Sequence, residues 1–118
     1  TLNGGSGNDR LFGEEGADSI VGGSGADYIV GGDGADTING GSGADTFVFT
    51  DGDDADRIVG FADNSDTLDL SNFGLTWAQL KTKASVVDGN DLRLNLGDGD
   101  MLVIEDFTIT KLQDDVLL

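Results

Sequence analysis

Aspartate returns at every ninth position along the first part of the chain, as Asp9, Asp18, Asp27, Asp36 and Asp45. Each closes a glycine-rich hexapeptide: GGSGND, GEEGAD, GGSGAD, GGDGAD and GGSGAD. A carboxylate beside a run of flexible backbone is the donor chemistry of a hard cation. Calcium takes 6–8 oxygen ligands at about 2.3–2.6 Å from carboxylates and carbonyls, and such a turn offers both. Magnesium fits less well, because it retains its waters and demands octahedral geometry. The choice of acid agrees: of 23 acidic residues only Glu14, Glu15 and Glu105 are glutamate. The shorter aspartate arm suits a turn in which carboxylate and carbonyls must meet within one ionic radius.

These aspartates need elements that hold them in line. Each repeat has two halves. GGxGxD is a turn, whose glycines reach backbone conformations with positive φ and let carbonyls converge. The three residues after it are a short strand with one apolar side chain at the centre. Leu11, Ile20, Ile29, Ile38 and Phe47 hold that central slot. Two repeats make one coil, and stacked coils bring equivalent residues to the strand spacing of about 4.8 Å. Leu11, Ile29 and Phe47 should therefore stack on one sheet, with Leu2, Ile20 and Ile38 facing them on the other. Asp9, Asp27 and Asp45 should line one edge, with Asp18 and Asp36 on the opposite edge. Carboxylates so close together repel, and a dication between them removes the repulsion. A flexible acidic linker is the alternative reading of such composition. The unbroken phase and apolar slot argue against it, except for the calcium-free chain.

Five in-phase copies over residues 4–48 resemble the RTX calcium-binding nonapeptide family. The resemblance implies an all-β fold, a right-handed parallel β-roll with two short-stranded sheets and calcium in the turns. It implies ions held between successive coils by the turn carbonyls and aspartates. Mapped onto this chain, the ligand-bearing turns are Gly4, Gly5, Ser6, Gly7 and Asp9, then Gly13, Glu14, Gly16 and Asp18. They continue as Gly22, Gly23, Ser24, Gly25 and Asp27, then Gly31, Gly32, Asp33, Gly34 and Asp36, and finally Gly40, Gly41, Gly43 and Asp45. Glu14 departs from the pattern, standing where the other turns have their second glycine.

Composition narrows the function. There is no cysteine and no histidine, so disulfides, cysteine–zinc sites and imidazole catalysis are out. A formal charge of −17 argues against nucleic acid and against anionic membrane surfaces. About four calcium ions would bring that charge near −9. No apolar run approaches the length of a membrane span, and no signal peptide opens the chain. Thr1-Leu2-Asn3 matches the strand half of a repeat whose turn is missing, so a longer parent with an upstream domain is expected.

After Val48 the repeat breaks, dividing the chain into a roll (1–48) and a capping segment (49–118) within one folding unit. Counting in nines puts Asp54 in the aspartate slot and Asp56 in the apolar one. The cluster Asp51, Asp53, Asp54 and Asp56 is expected to close a last site, with Asp54 and Asp56 as its ligands. Short strands are expected at 57–61 and 67–70, and a helix at 77–81 capped by Thr76. Antiparallel strands are expected at 84–88, 91–96 and 101–107. The run GGSGADTFVF, DRIVGF, DTLDLS resembles the end of the β-roll in serralysin-type metalloproteases. The hairpin region also resembles mannuronan epimerase R-modules. The terminal DDVLL resembles the C-terminal signals of type I exported proteins. Repeat arrays need atypical terminal units, and the outward row Phe12, Val30, Val48 is expected to be covered by part of the cap.

The resulting expectation is a secreted, extracellular, bacterial, monomeric calcium module, exported by a type I apparatus and folding on about three to five calcium ions. It is not itself an enzyme, since it carries neither a metal-protease nor a nucleophile-elbow motif. A protease, epimerase or lyase would each fit upstream. The alternative is a polysaccharide-binding module of alginate-like specificity, with Trp77 or Tyr28 stacking on sugar rings.

Overall fold

The computed structural model describes residues 1–118. The repeats form paired strands. β1 (Leu2–Ser6), β3 (Ser19–Ser24), β5 (Thr37–Ser42) and β7 (Ala55–Val59) lie parallel in one sheet. β2 (Arg10–Phe12), β4 (Tyr28–Val30), β6 (Thr46–Val48) and β8 (Thr67–Asp69) lie parallel in the second. The chain is a parallel β-roll.

The register follows the apolar slot. Leu2, Ile20, Ile38 and Ile58 pair in sequence across the first sheet. Leu11, Ile29, Phe47 and Leu68 do so across the second. Ile20, Ile29, Ile38, Phe47, Ile58 and Leu68 are wholly buried, so the rows form a dry seam one side chain thick per sheet. Leu2 and Leu11, on the first coil, are only partly buried.

The C-terminal part continues both sheets. A 3-10 turn (Ser71–Phe73) and α1 (Trp77–Thr82) lead to β9 (Ala84–Val87), β10 (Asp91–Gly97) and β11 (Asp100–Ile104). Thr76 caps α1 in a reciprocal box with Gln79. β10 lies between β9 and β11 and is antiparallel to both, with Leu92 and Leu94 turned into the core. The antiparallel cap is as expected, and two features add to it. β11 runs parallel to β7, and β12 (Val116–Leu117), after the unanticipated α2 (Ile109–Leu112), runs parallel to β8. The cap therefore extends the roll on both sides, and Ile104 and Val116 carry the two apolar rows onward.

Strand ends also differ from expectation. Gly60 at φ 75° ends β7 and turns Phe61 inward, where its ring meets Phe47 at 5.6 Å and Phe107 at 4.9 Å. Phe107 likewise lies beyond β11. One buried cluster joins Ile20 of the roll to Leu112 of the cap. Cover over the outward apolar row is partial: Val48 is 6% exposed, Val30 intermediate and Phe12 50% exposed. The terminal strands add to the sheet ends rather than folding back over the face, so protection stops near the third coil.

Phe47 sits where roll and cap meet, and it should be the most sensitive core position. Phe47→Ala should cost about 3–5 kcal/mol in denaturant unfolding of the calcium-loaded protein.

Candidate metal centre

The aspartates form two hydrogen-bonded ladders. On one edge the Asp9 amide donates to Asp27 Oδ1 at 2.8 Å, the Asp27 amide to Asp45 Oδ1 at 2.9 Å, and the Asp45 amide to Asp66 Oδ1 at 3.0 Å. On the other, the Asp18 amide donates to Asp36 Oδ1 at 2.7 Å and the Asp36 amide to Asp56 Oδ1 at 2.9 Å. One carboxylate oxygen thus ties each coil to the coil before it. The second oxygen is left over: Oδ2 of Asp9, Asp27, Asp36 and Asp45 is buried with no hydrogen-bond partner. A buried carboxylate oxygen without a donor costs on the order of 1–3 kcal/mol or more, so four in one small domain call for a ligand.

Glycine defines what surrounds these oxygens. A Cβ at Gly22 would fall 2.5 Å from both Asp27 Oδ2 and the Gly40 carbonyl. A Cβ at Gly4 would meet Asp9 Oδ2 at 2.7 Å and the Gly22 carbonyl at 2.6 Å, and one at Gly31 would meet Asp36 Oδ2 at 2.6 Å. Gly40 faces Asp45 Oδ2 in the same way. The first glycine of each of these turns is thus needed for space. The second is needed for direction, as Gly23 at φ 112° and Gly41 at φ 95° show. Glu14 holds φ 73°, so the second turn keeps its path despite the missing glycine. Its carbonyl still accepts from the Asp33 amide at 2.7 Å.

The donor set suits a hard dication: carboxylate oxygens without hydrogen-bond donors, beside glycine carbonyls. Nowhere do three or more acidic side chains gather into a group able to hold an ion. Carbonyls would have to supply much of the coordination, as calcium accepts and transition metals do not favour.

Counting in nines misplaced the end of the array. Asp56, not Asp54, occupies the ladder, because the coil is two residues longer and the step from Asp36 is 20 residues. Asp54 is exposed with φ 67°, and its amide donates to Asp100 Oδ1 at 3.1 Å. Asp66, reached by a step of 21, was missed. The signal lay in the triplet Asp-x-apolar, since Asp56-Arg57-Ile58 and Asp66-Thr67-Leu68 repeat Asp27-Tyr28-Ile29. At this end the acids turn to holding loops. Asp66 Oδ2 accepts from the Ala62 amide, Asp53 from the Thr50 amide and hydroxyl, Asp100 from the Gly52 amide and Asp115 from the Asn64 amide.

Burial pushes the Asp56 carboxyl up to about 8, against the pull of the Asp36 amide and with added repulsion from Asp36, Asp53 and Asp54. Asp36 and Asp45 are raised for the same leading reason, burial, with neighbouring carboxylates adding to it.

The nonapeptide pattern matches the family model described as RTX calcium-binding nonapeptide repeat (4 copies), over residues 1–29, 13–47 and 21–55. The matches together span residues 1–55, a little under half of the chain. No curated protein sequence matches the chain. Among solved structures, the chain is similar to the AlgE6R2 subunit of the Azotobacter vinelandii mannuronan C5-epimerase, at 28% identity and TM-score 0.67. That match covers 97% of this chain and 90% of the subunit. The AlgE6R3 subunit of the same enzyme matches at 27% identity and TM-score 0.50, covering 97% and 80%. The extracellular lipase LipA of Serratia marcescens shares the fold at 23% identity and TM-score 0.63. The alignment covers 98% of this chain and 20% of the lipase, so the chain corresponds to about a fifth of that protein.

Two outcomes follow from the geometry. Glu14→Gly should relieve a left-handed non-glycine residue and stabilise the loaded module by about 1 kcal/mol, read from the denaturation midpoint. In calcium-free solution, raised carboxyl pKa values mean that the folded chain binds protons more tightly than the unfolded one. For Asp56 this favours folding below the ordinary value of 3.8, and the gain is lost as pH rises toward about 8. Far-UV ellipticity of the metal-free protein should therefore fall as pH rises, and saturating calcium should abolish that fall by taking the deprotonated form.

Proposed function

We propose that this RTX module is a calcium-triggered folding unit of a secreted protein, disordered without the ion and assembled outside the cell. The observation that carries the reading is the set of four buried, donorless Oδ2 atoms of Asp9, Asp27, Asp36 and Asp45, set against glycines. In this reading each Oδ2 and the glycine carbonyls beside it hold one ion, giving about four. Gly4, Gly13, Gly22, Gly31 and Gly40 provide the space, with Asp18 and Asp56 completing the second edge.

The calcium chemistry lies in neutralisation and in bridging coil to coil. The chain's own residues do the rest. Without the ion, the ladders place like charges one strand spacing apart, and the thin apolar seam must hold against them. With it, binding energy becomes folding energy. Extracellular modules bind calcium at about 0.1–1 mM, a concentration found outside cells and not within them. A chain that stays open until it meets calcium suits passage through a narrow export channel, and the terminal DDVLL suits an address for a type I apparatus. The same segment forms β12 yet leaves Leu117 and Leu118 exposed, which fits an address that stays accessible at the surface.

The test is far-UV circular dichroism in EDTA at neutral pH, then with calcium and with magnesium. Calcium should produce β signal and magnesium should not. A roll already formed in EDTA would overturn the reading. Asp45→Asn keeps an acceptor for the Asp27 amide but removes the charge, and it should weaken calcium binding by about tenfold in titration calorimetry.

A second reading is an accessory role toward an acidic polysaccharide. It is favoured by the likeness, over nearly the whole chain, to subunits of a mannuronan epimerase. Retention of the calcium-loaded module on a polyuronate gel, relative to a neutral gel, tests it.

A further inference from the structure

Six basic residues stand among 23 acidic ones, so an unpaired cation is an anomaly here. Arg57 is paired, with Glu105 at 2.5 Å and Asp91 at 3.7 Å. Arg10 lies over the Tyr28 ring at 4.7 Å, and Lys111 faces Phe107 at 5.9 Å. Lys81, Lys83 and Arg93 have neither an ion pair nor an aromatic partner. All three belong to one short stretch of sequence, and two of them line the same depression.

That depression, about 390 Å³, lies where α1 ends on the outer face of β9 and β10. Its walls are Thr82, Lys83, Ala84, Ser85, Arg93 and Asn95. The sheet register explains the grouping. Arg93 pairs with Ser85 across β9 and β10, and the Asn95 amide donates to the Lys83 carbonyl at 3.0 Å. No acidic residue contributes to the lining. The nearest on the same strand face, Asp91, is turned to Arg57 and accepts from the Asp106 amide at 3.0 Å. Within this pocket's wall, Arg93 Nε is buried and donates to nothing. With no carboxylate in the wall, an anion seated in the depression would find the Lys83 ammonium and the Arg93 guanidinium unopposed.

We propose that this depression is a binding site for a sugar acid, a hydroxylated ring or chain bearing one carboxylate, free or as a unit of a polymer. The carboxylate would lie against the Arg93 guanidinium, with the Lys83 ammonium adding charge. The Ser85 hydroxyl and Asn95 amide offer both donors and acceptors for sugar hydroxyls, and Thr82 offers a free acceptor because its own proton goes to the Gln79 carbonyl. A volume of 390 Å³ falls in the range of small-molecule sites, larger than a bare oxyanion fills. The module's overall negative charge holds affinity low and favours ligands with a single charge per unit. This inference deepens the polysaccharide reading and is independent of the ion-triggered one, except that it needs the folded cap.

The experiment is a ¹⁵N–¹H NMR titration of the calcium-loaded module with sodium glucuronate, sodium sulfate and glucose, following the Arg93 Nε–H and the amides of residues 82–85 and 93–95. Saturable shifts confined to these signals with glucuronate, weaker with sulfate and absent with glucose, are expected. Arg93→Gln should weaken glucuronate binding by about tenfold and Lys83→Gln by about threefold, with the dispersion of the remaining spectrum unchanged. No shift at millimolar glucuronate, equal shifts with sulfate, or undiminished binding by Arg93→Gln would each overturn the proposal. Retention on a polyuronate gel that survives Arg93→Gln would overturn this site while leaving the polysaccharide reading standing. Glucuronate binding at the site without retention on the gel would support the site and sink that broader reading.

Discussion

The structure depends on a conflict between two consequences of one geometry. Stacking coils at strand spacing brings the isoleucines into contact and forces the aspartates into contact at the same time. The first effect stabilises and the second opposes it, and neither can be had without the other. The ladder hydrogen bonds resolve half of the problem, because Oδ1 of Asp27, Asp36, Asp45, Asp56 and Asp66 accepts an amide from the preceding coil. The other half stays open at Oδ2 of Asp9, Asp27, Asp36 and Asp45, where the chain supplies acceptors and no donors. A roll built this way leaves buried acceptors that an external cation would satisfy.

The apolar seam alone is a weak guarantee of folding. Each coil contributes two inward side chains, where a sandwich of the same length would bury several per strand. The cap changes this. Phe47, Phe61 and Phe107 pack in a chain of aromatic contacts, and Leu70, Leu80, Leu92, Leu94, Leu102 and Leu112 join the same cluster. The bulkiest part of the core thus lies at one end of the roll. Assembly from that end toward the first coil agrees with the burial gradient from Phe47 to the partly buried Leu11. At the cap end, the carboxylates also change role. Asp53, Asp66, Asp100 and Asp115 hold loop amides, so that region satisfies its carboxylates with hydrogen bonds where the array leaves acceptors unpaired.

Much of the roll could be read from residue order alone. Nine-residue phase is a local property, and a three-residue strand with one apolar centre leaves a single way to stack. The two apolar rows, the two aspartate edges and the Thr76 cap follow from that. What local order hides is coil length. The loops after Val48 and Val59 add residues, and a count that assumes constant length places Asp54 where Asp56 stands and passes over Asp66. The Asp-x-apolar triplet survives such insertions because it is fixed by the strand rather than by the turn.

Amino-acid order by itself determined the period, the inward and outward faces, the acidic edges and the chemistry of the cation, since each rests on contacts between equivalent residues of neighbouring repeats. Tertiary structure alone decided which strands extend which sheet beyond the array. β11 joins β7 and β12 joins β8 across long stretches of chain, and such pairings are set by which open edge is available and by the shape of the core. It also decided which carboxylate oxygens lack partners and which cations stand apart from acids. Those depend on where non-local backbone amides and side chains come to rest, and no spacing along the chain encodes that.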